Sequence, residues 1–581
     1  MVTLSVPSTS FLADIAAAEA GMPLPGSPVT PNADDPRYAG NPQAYADDKK
    51  AAEAEAVTFE KAAKERGAAV AGVIATWLAK SPYAMFRELL AQPKETMPIF
   101  KPAVGPAIVM RHDDVIRCLE RTDLFTVDLY GVEMARAMDD KNKNPGAYSH
   151  FMLGTDQDDL YRIDDVIMRK AVSRSDRARL SSLIRSEAEY WTAQTQKEGP
   201  QEIDVVPTIA KFVPLRVVSD YLGIPFYEAG SPSALPGLLG GGPFQLDEDL
   251  QRVFTFKKID KGIVPTADLL FSWIKDAFRN IFNNFSPTYR LFNDFRERGM
   301  IATEYLSAYV FALLKHYKAQ LGQDQAVPDN LLTRLLRMQR ELEHNGEKME
   351  EEFSVALGTP VTKRELALRL SDSMIRSNVF GTVVGAVVNP QEATARLLDS
   401  MLRLQDGEYE VLNGSSFEQA VRFARVEPDS PEYDKNLESL RKYALEALRL
   451  QPQGEVLLRL CVKDNDVLGV PLRKGTLIFC AYAAAMLDSE VILNPSGFDI
   501  TRDEELVPYL QNRERKQEMP QSQIYLQHGY GRHKCLGRYV SEITMRESLR
   551  AMLRPRRLER RSELKMDEQN LYAMSLKIAF C

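Results

Sequence analysis

The stretch His528-Gly-Tyr-Gly-Arg-His-Lys-Cys535-Leu-Gly537 constrains this chain more than any other. Three glycines and one cysteine fall within ten residues, and a helical pattern, RYVSEITMRESLRAML, follows at once. The glycines predict a tight loop whose backbone approaches a flat partner closely. A thiol placed at a helix N-terminus feels the positive end of the macrodipole, which favours thiolate. A thiolate so held is a metal ligand or a nucleophile. No second cysteine lies nearby, which argues against a structural zinc site.

The remainder of the chain predicts a mainly α architecture with a minor β part. Residues 1–42, rich in Pro, Gly, Ser, Asn and Asp, read as an irregular arm. Residues 43–80 are dominated by Ala, Glu and Lys and read as one long helix. Together they make an N-terminal extension, residues 1–80, ahead of one large domain over 81–581. A short β run, Ala107 to Met110, precedes a helix that starts near His112-Asp113. Residues 154–197 and 265–345 are mostly helical by periodicity. Residues 362–404 form one helical stretch with an apolar centre, VFGTVVGAVVNP. Another helix covers 435–451, β-branched runs over 456–480 suggest a small sheet, and a last helix follows Leu536.

Composition closes off several classes. Lys and Arg number 73 against 81 Asp and Glu, a net charge of −8. That balance opposes general nucleic-acid binding, which needs a basic face. The five cysteines, Cys118, Cys461, Cys480, Cys535 and Cys581, are odd in number and far apart. They argue against a disulfide framework and for a reducing compartment. The apolar run Ala68 to Ala79 is about eight residues short of a span of roughly 20. The N-terminus lacks a basic segment followed by a long apolar one. A soluble, cytoplasmic protein without a membrane span is expected.

The cysteine loop resembles the haem-binding loop of the cytochrome P-450 (haem-thiolate) superfamily, whose pattern is Phe-Gly-x-Gly-x-His-x-Cys-x-Gly. Gly529, Gly531, His533, Cys535 and Gly537 match, and the leading Phe is His528 here. Glu446-Ala-Leu-Arg449, 89 residues before Cys535, resembles the family's Glu-x-x-Arg helix. Its i, i+3 spacing puts both charges on one helical face. Arg459-Leu-Cys-Val-Lys-Asp464 and the segment after it resemble the family's strand–turn–strand unit, and PAIVMRHDDVIRCL its early strand–helix unit. The resemblance covers about 81 to 581 and implies a P-450-like fold, with haem b between a long distal helix and the loop. It implies that Cys535 is the axial ligand of the iron, that Arg459 meets a haem propionate, and that His533 and Arg532 are further partners. It also implies an apolar small-molecule substrate and, in the absence of a fused redox module, a separate ferredoxin- or flavodoxin-type electron donor.

The chain departs from the family in its distal helix. Where members carry an acid–alcohol pair, Val384-Gly385-Ala386-Val387-Val388-Asn389 stands here. Val387 and Val388 then occupy the acid and alcohol positions, and an apolar distal wall of Val383, Val384, Val387 and Val388 is expected. A second register places Asn378-Val379-Phe380-Gly381-Thr382 there, with Thr382 as the only hydroxyl. Asn-x-Phe-Gly is similar to the helix of allene oxide synthases and hydroperoxide lyases. The segment around Asn389 is loosely similar to fungal diol synthase P-450 domains. Those groups rearrange fatty acid hydroperoxides without a reductase, and an Asn amide can donate a hydrogen bond to a peroxide.

Two further departures concern charge. The helix that offers His and Arg to a propionate reads Leu160-Tyr161-Arg162-Ile163-Asp164, leaving Arg162 or Arg169 to compensate. The family's Arg beside the Glu-x-x-Arg pair is Gly497, and Arg502 is the nearest substitute. Residues between Arg502 and Gln527 read as a surface loop, and 126–152 and 224–243 as walls over the haem by position in the resemblance. Three readings follow: a monooxygenase served by separate redox partners, a reductase-independent hydroperoxide isomerase or peroxygenase, and a haem-binding protein without catalysis.

Overall fold

From the N-terminus run α1 (Phe11–Gly21), α2 (Pro42–Lys80), α3 (Pro82–Leu90), β1 (Ala107–Val109), α4 (His112–Glu120), β2 (Phe125–Thr126) and α5 (Asp128–Ala137). Then come α6 (Asp158–Ala171), α7 (Arg177–Lys197), β3 (Glu202–Asp204), α8 (Ile209–Arg216), α9 (Ala267–Phe282), α10 (Asn293–Gly322), α11 (Leu331–His344), α12 (Gly346–Leu357) and α13 (Lys363–Arg369). The C-terminal part holds α14 (Asp372–Gln405), α15 (Phe417–Ala424), α16 (Tyr433–Leu450), β4 (Leu457–Cys461), β5 (Leu477–Cys480), α17 (Tyr482–Ala485), α18 (Arg538–Leu553) and the short strands β6 (Leu558–Arg560), β7 (Lys565–Met566), β8 (Ala573–Ser575) and β9 (Lys577–Phe580). This is a computed structural model, and it describes residues 10–25, 28–39, 41–137, 151–156, 158–197, 202–226, 265–283, 293–502, 524–555, 558–567 and 571–580. The loop expected after Arg502 and most of 224–243 lie outside those residues.

α14 is the central element and packs on α8, α9, α10, α16 and α18. The stretch expected as one helix over 362–404 is two. Thr362 and Glu365 form a capping box that starts α13, and Ser371, extended at ψ 156, restarts the chain by accepting from Met374 N–H. A capping serine with non-helical backbone ends one helix and begins the next.

The sheet over 456–480 is present and larger than expected. Its order is β1-β5-β4-β2, with β4 antiparallel to β5 and β1 parallel to it. Arg459 pairs with Ile478, and Leu457 with Cys480. Side chains of directly paired residues share a face. Leu457, Arg459, Ile478 and Cys480 therefore look the same way, toward α4.

The expected irregular arm contains a helix. Ser10 caps α1 through Ala13 N–H. The Glu88 carboxylate, on α3, accepts from Phe11 N–H at 2.7 Å and Leu12 N–H at 3.2 Å. Phe11 is fully buried and meets Trp77 and Phe100 edge-on. The capping carboxylate arrives from a distant helix, so the local Pro- and Gly-rich composition gave no sign of it. The second half of α2, from Gly67 on, is buried in the same core, whereas its first half is largely exposed.

Candidate functional site

α14 and the 526–537 loop face each other across a cavity of about 270 Å³. From α14 the wall takes Gly381, Thr382, Gly385, Ala386, Asn389 and Pro390. These recur at helical spacing and make one stripe. Val383, Val384, Val387 and Val388 lie on the other faces, buried in the core, and none lines the cavity. The expected valine wall is thereby corrected. A helix turns 3.6 residues each turn, so a stripe through Gly381 and Gly385 reaches Asn389 next and passes Val387 and Val388 by. Asn378 is corrected too. Its Oδ1 accepts from Met152 N–H, it bonds the Asp164 carboxylate, and it does not line the cavity.

Two polar side chains remain on the α14 wall. Thr382 Oγ1 donates back to the Asn378 carbonyl at 2.7 Å. Asn389 stands before Pro390, a proline inside the helix. Proline has no N–H, so the Ala386 carbonyl lacks its usual helical donor. The wall thus offers one amide and one backbone carbonyl, but no carboxyl group. Gly381 has a packing reason: a Cβ there would meet the Phe151 ring at 2.3 Å. Gly381→Ala is expected to push Phe151 into the cavity and to cost about 1–3 kcal/mol, as overpacking does; thermal unfolding measures it.

The loop is built as its glycines predicted. Gly529 and Gly531 take positive φ of 71° and 66°, and Cys535 N–H donates to the His528 carbonyl at 2.9 Å. Gly529, Gly537 and Cys535 line the cavity. Gly531 does not; it packs beside α4, where a Cβ would sit 3.5 Å from the Leu119 carbonyl. Burial pushes the Cys535 thiol above its ordinary value and outweighs the Gly537 N–H that favours thiolate. The helix terminus alone therefore does not deliver the thiolate expected from sequence; a cation has to complete it.

Glu446 and Arg449 are both fully buried and form a bidentate pair at 2.7 and 2.9 Å. Arg449 also donates to the carbonyls of Met486, Pro495 and Gly497. Glu446 further accepts from Asp499 N–H, Tyr525 Oη and Arg502 Nε. Arg502 thus takes the position the sequence suggested for it.

Arg459 lines the cavity, buried, with Nη1 on the Leu458 carbonyl and Nε without a hydrogen-bond partner among the described residues. His533 also lines it. Its Nε2 lies 2.6 Å from Asp156, whose carboxylate accepts from Val127 N–H and Thr126 Oγ1, and its Nδ1 has no partner among the described residues. Arg532 turns away from the cavity: its guanidinium stacks on the Tyr161 ring at 4.1 Å. Arg162 and Arg169 do not compensate from α6, since Arg162 reaches Thr359 and the Leu357 carbonyl and Arg169 pairs with Asp165. Asp156 and Tyr130, whose hydroxyl accepts Leu458 N–H at 2.7 Å, escaped the sequence reading. Asp156 lies 377 residues from His533, and nothing local marks it.

These features fit a haem. A thiol stands on one wall, glycine faces stand where a Cβ would intrude (at Gly385 it meets nothing within 4 Å), and buried unpartnered nitrogens of Arg459 and His533 suit the two propionates.

His528, in place of the family's Phe, also lines the cavity. Burial depresses its pKa to about 4, with Glu542 opposing and Arg538, Lys534 and Arg441 assisting. The unfolded chain takes up this proton near pH 6.5, the folded one only near 4. Stability is therefore lost as pH falls through that window, by up to about 3 kcal/mol. His528→Phe is expected to flatten the denaturant-unfolding profile between those values.

A second, polar concavity also reaches Cys535. Arg169, Arg174, Arg177, Arg441, Lys534, Arg538 and Arg546 line it, against Glu438 and Glu542. Among the described residues no helix is long and apolar enough to cross a membrane, and no His/Cys/Asp/Glu group would hold a metal ion by itself.

A family model described as Cytochrome P450 matches residues 418–579. Cytochrome P450-terp of Pseudomonas sp is 31% identical over 101 residues, 17% of this chain and 19% of that protein. The biotin biosynthesis cytochrome P450 of Bacillus subtilis is 26% identical over 108 residues, 19% of this chain and 23% of that protein. The chain thus spans about a fifth of the length of the curated relatives it matches. Among solved structures, P450BioI in complex with hexadec-9Z-enoic acid ligated acyl carrier protein superposes with a TM-score of 0.57 at 15% identity, over 87% of this chain and 100% of that one. CalO2 does so with a TM-score of 0.55 at 18% identity, over 87% and 97%.

Proposed function

We propose, from the premise that the chain belongs to the cytochrome P450 superfamily and shares its haem b cofactor, that it is a cytoplasmic monooxygenase of an apolar organic molecule, served by a separate electron-donor protein. The observation that carries this reading is the pair of recesses meeting at Cys535: an apolar cavity under α14 and a basic concavity beside it. Haem bound there would be held by the Cys535 sulfur and would supply the oxidative chemistry. Arg459 would hold a propionate through its Nε. His533, oriented by Asp156, would hold the other propionate. Phe151, Phe282, Val127 and Leu457 exclude water around an apolar substrate. The seven cations of the second recess against two acids suit an acidic ferredoxin or flavodoxin. Charge reversal at Arg174 and Arg177 is expected to slow association with such a donor by about tenfold at low ionic strength, an effect that salt erases; stopped-flow reduction measures it.

A second reading has its own observation. The α14 wall carries the Asn389 amide and no carboxyl group. An amide positions a peroxide by hydrogen bonding but does not hand over a proton. That arrangement suits a hydroperoxide isomerase or peroxygenase. The experiment is incubation with a polyunsaturated fatty acid hydroperoxide without reductant. The monooxygenase reading expects no conversion, with hydroxylation appearing only with a reduced donor. Rapid formation of a diol, epoxy alcohol or allene oxide replaces it with the second reading, and Asn389→Leu should then slow turnover. A protein that binds haem and does neither is the remaining non-catalytic case.

A further inference from the structure

Two cysteines that the site does not use lie together behind its wall. Cys118, on α4, and Cys480, at the end of β5, are 362 residues apart in sequence, yet their sulfurs stand 3.2 Å apart and both are fully buried. The third sulfur of this layer is engaged elsewhere: Cys461 Sγ meets the Lys463 carbonyl at 3.1 Å and Asn465 Nδ2 at 3.2 Å. Both members of the pair feel the positive charge of Arg459. Leu457 lines the cavity and is the cross-strand neighbour of Cys480 on the same sheet face.

We propose that Cys118 and Cys480 form a redox-modification site, closing to a reversible disulfide at the expense of a small hydroperoxide that enters the cavity. Closure from 3.2 Å to a bond of about 2.05 Å asks for about 1 Å of combined movement. Cys480, the cross-strand neighbour of the cavity-lining Leu457, is the first nucleophile. Burial pushes its thiol up, but the hydrogen bond it shares with Cys118 and the charge of Arg459 act the other way and hold it below the ordinary value. The Cys480 sulfur attacks the terminal peroxide oxygen, the O–O bond breaks, and the alkoxide leaves as alcohol with the thiol proton, giving a sulfenic acid. The Cys118 sulfur then displaces its hydroxyl as water and forms the S–S bond. Two thiols and one hydroperoxide become one disulfide, one alcohol and one water; the sulfurs lose two electrons and the peroxide gains them. The product ties α4 to β5 next to Arg459.

The test uses the full chain with haem bound, reduced with dithiothreitol, desalted, and exposed to a few-fold excess of tert-butyl hydroperoxide. Denaturation, alkylation and peptide mapping follow. Two of the five cysteines are expected to escape alkylation, in one disulfide-linked peptide pair carrying Cys118 and Cys480, and dithiothreitol should restore both. Cys118→Ala and Cys480→Ala should each abolish that pair; the wild-type map decides the matter if either variant fails to fold. Five alkylated cysteines, a link through Cys461 or Cys535 instead, or only sulfinic and sulfonic acids at these positions overturns the proposal. The readout counts sulfurs and not turnover, so it stands or falls independently of the proposed reaction.

Discussion

Cys535→Ser is expected to abolish the thiolate-type ferrous–carbonyl spectrum and all turnover, while the protein still folds. Among the described cysteines Cys535 alone lines the cavity; the three others are buried elsewhere. The thiol takes its hydrogen bond from Gly537 N–H, two residues on, while the Cys535 backbone N–H holds the turn on the His528 carbonyl. A serine hydroxyl fits that turn but holds its proton far more tightly and gives no thiolate. The electron density that a thiolate pushes onto iron is lost with it. The absorption spectrum of the reduced, carbon monoxide-treated variant measures the first effect, and circular dichroism separates it from misfolding. A retained thiolate spectrum would mean that another cysteine holds the iron.

Glu446→Ala is expected to destabilise the chain by about 3–5 kcal/mol, since removing one partner leaves a buried charge uncompensated. Arg449 is fully buried and would face only the carbonyls of Met486, Pro495 and Gly497. Arg502, only slightly exposed, loses the same carboxylate. Glu446→Gln should cost less, because the amide oxygen still accepts from Asp499 N–H and one arginine. Denaturant unfolding of the two variants measures the difference. Tyr525, which donates to Glu446, stands just before the cysteine loop, so haem retention should fall in the same order.

What was legible in the sequence was local. The cysteine loop, the Glu446–Arg449 face and Arg502 depend on spacing along a few dozen residues, and the backbone turns and helical periodicity that realise them follow from those residues themselves. The helices over 43–80 and 435–451 and the strand pair over 456–480 were readable for the same reason. The distal helix was misread in phase. Its apolar centre is buried all round, so hydrophobicity could not say which stripe meets the cavity, and the valines were placed where Gly385, Ala386 and Asn389 stand. Asp156 beside His533 and Glu88 capping α1 come from segments 77 or more residues away.

The mainly helical class, the glycine-turned cysteine loop and the shared face of Glu446 and Arg449 could be read residue by residue, because each is written in contiguous or regularly spaced positions. Long-range packing sets which face of α14 looks into the cavity, that Arg532 stacks on Tyr161 and leaves Arg459 and His533 on the wall, and that Cys118 and Cys480 meet. Those are outcomes of helix rotation and strand pairing, and both are set by how distant apolar surfaces pack, which no local pattern encodes.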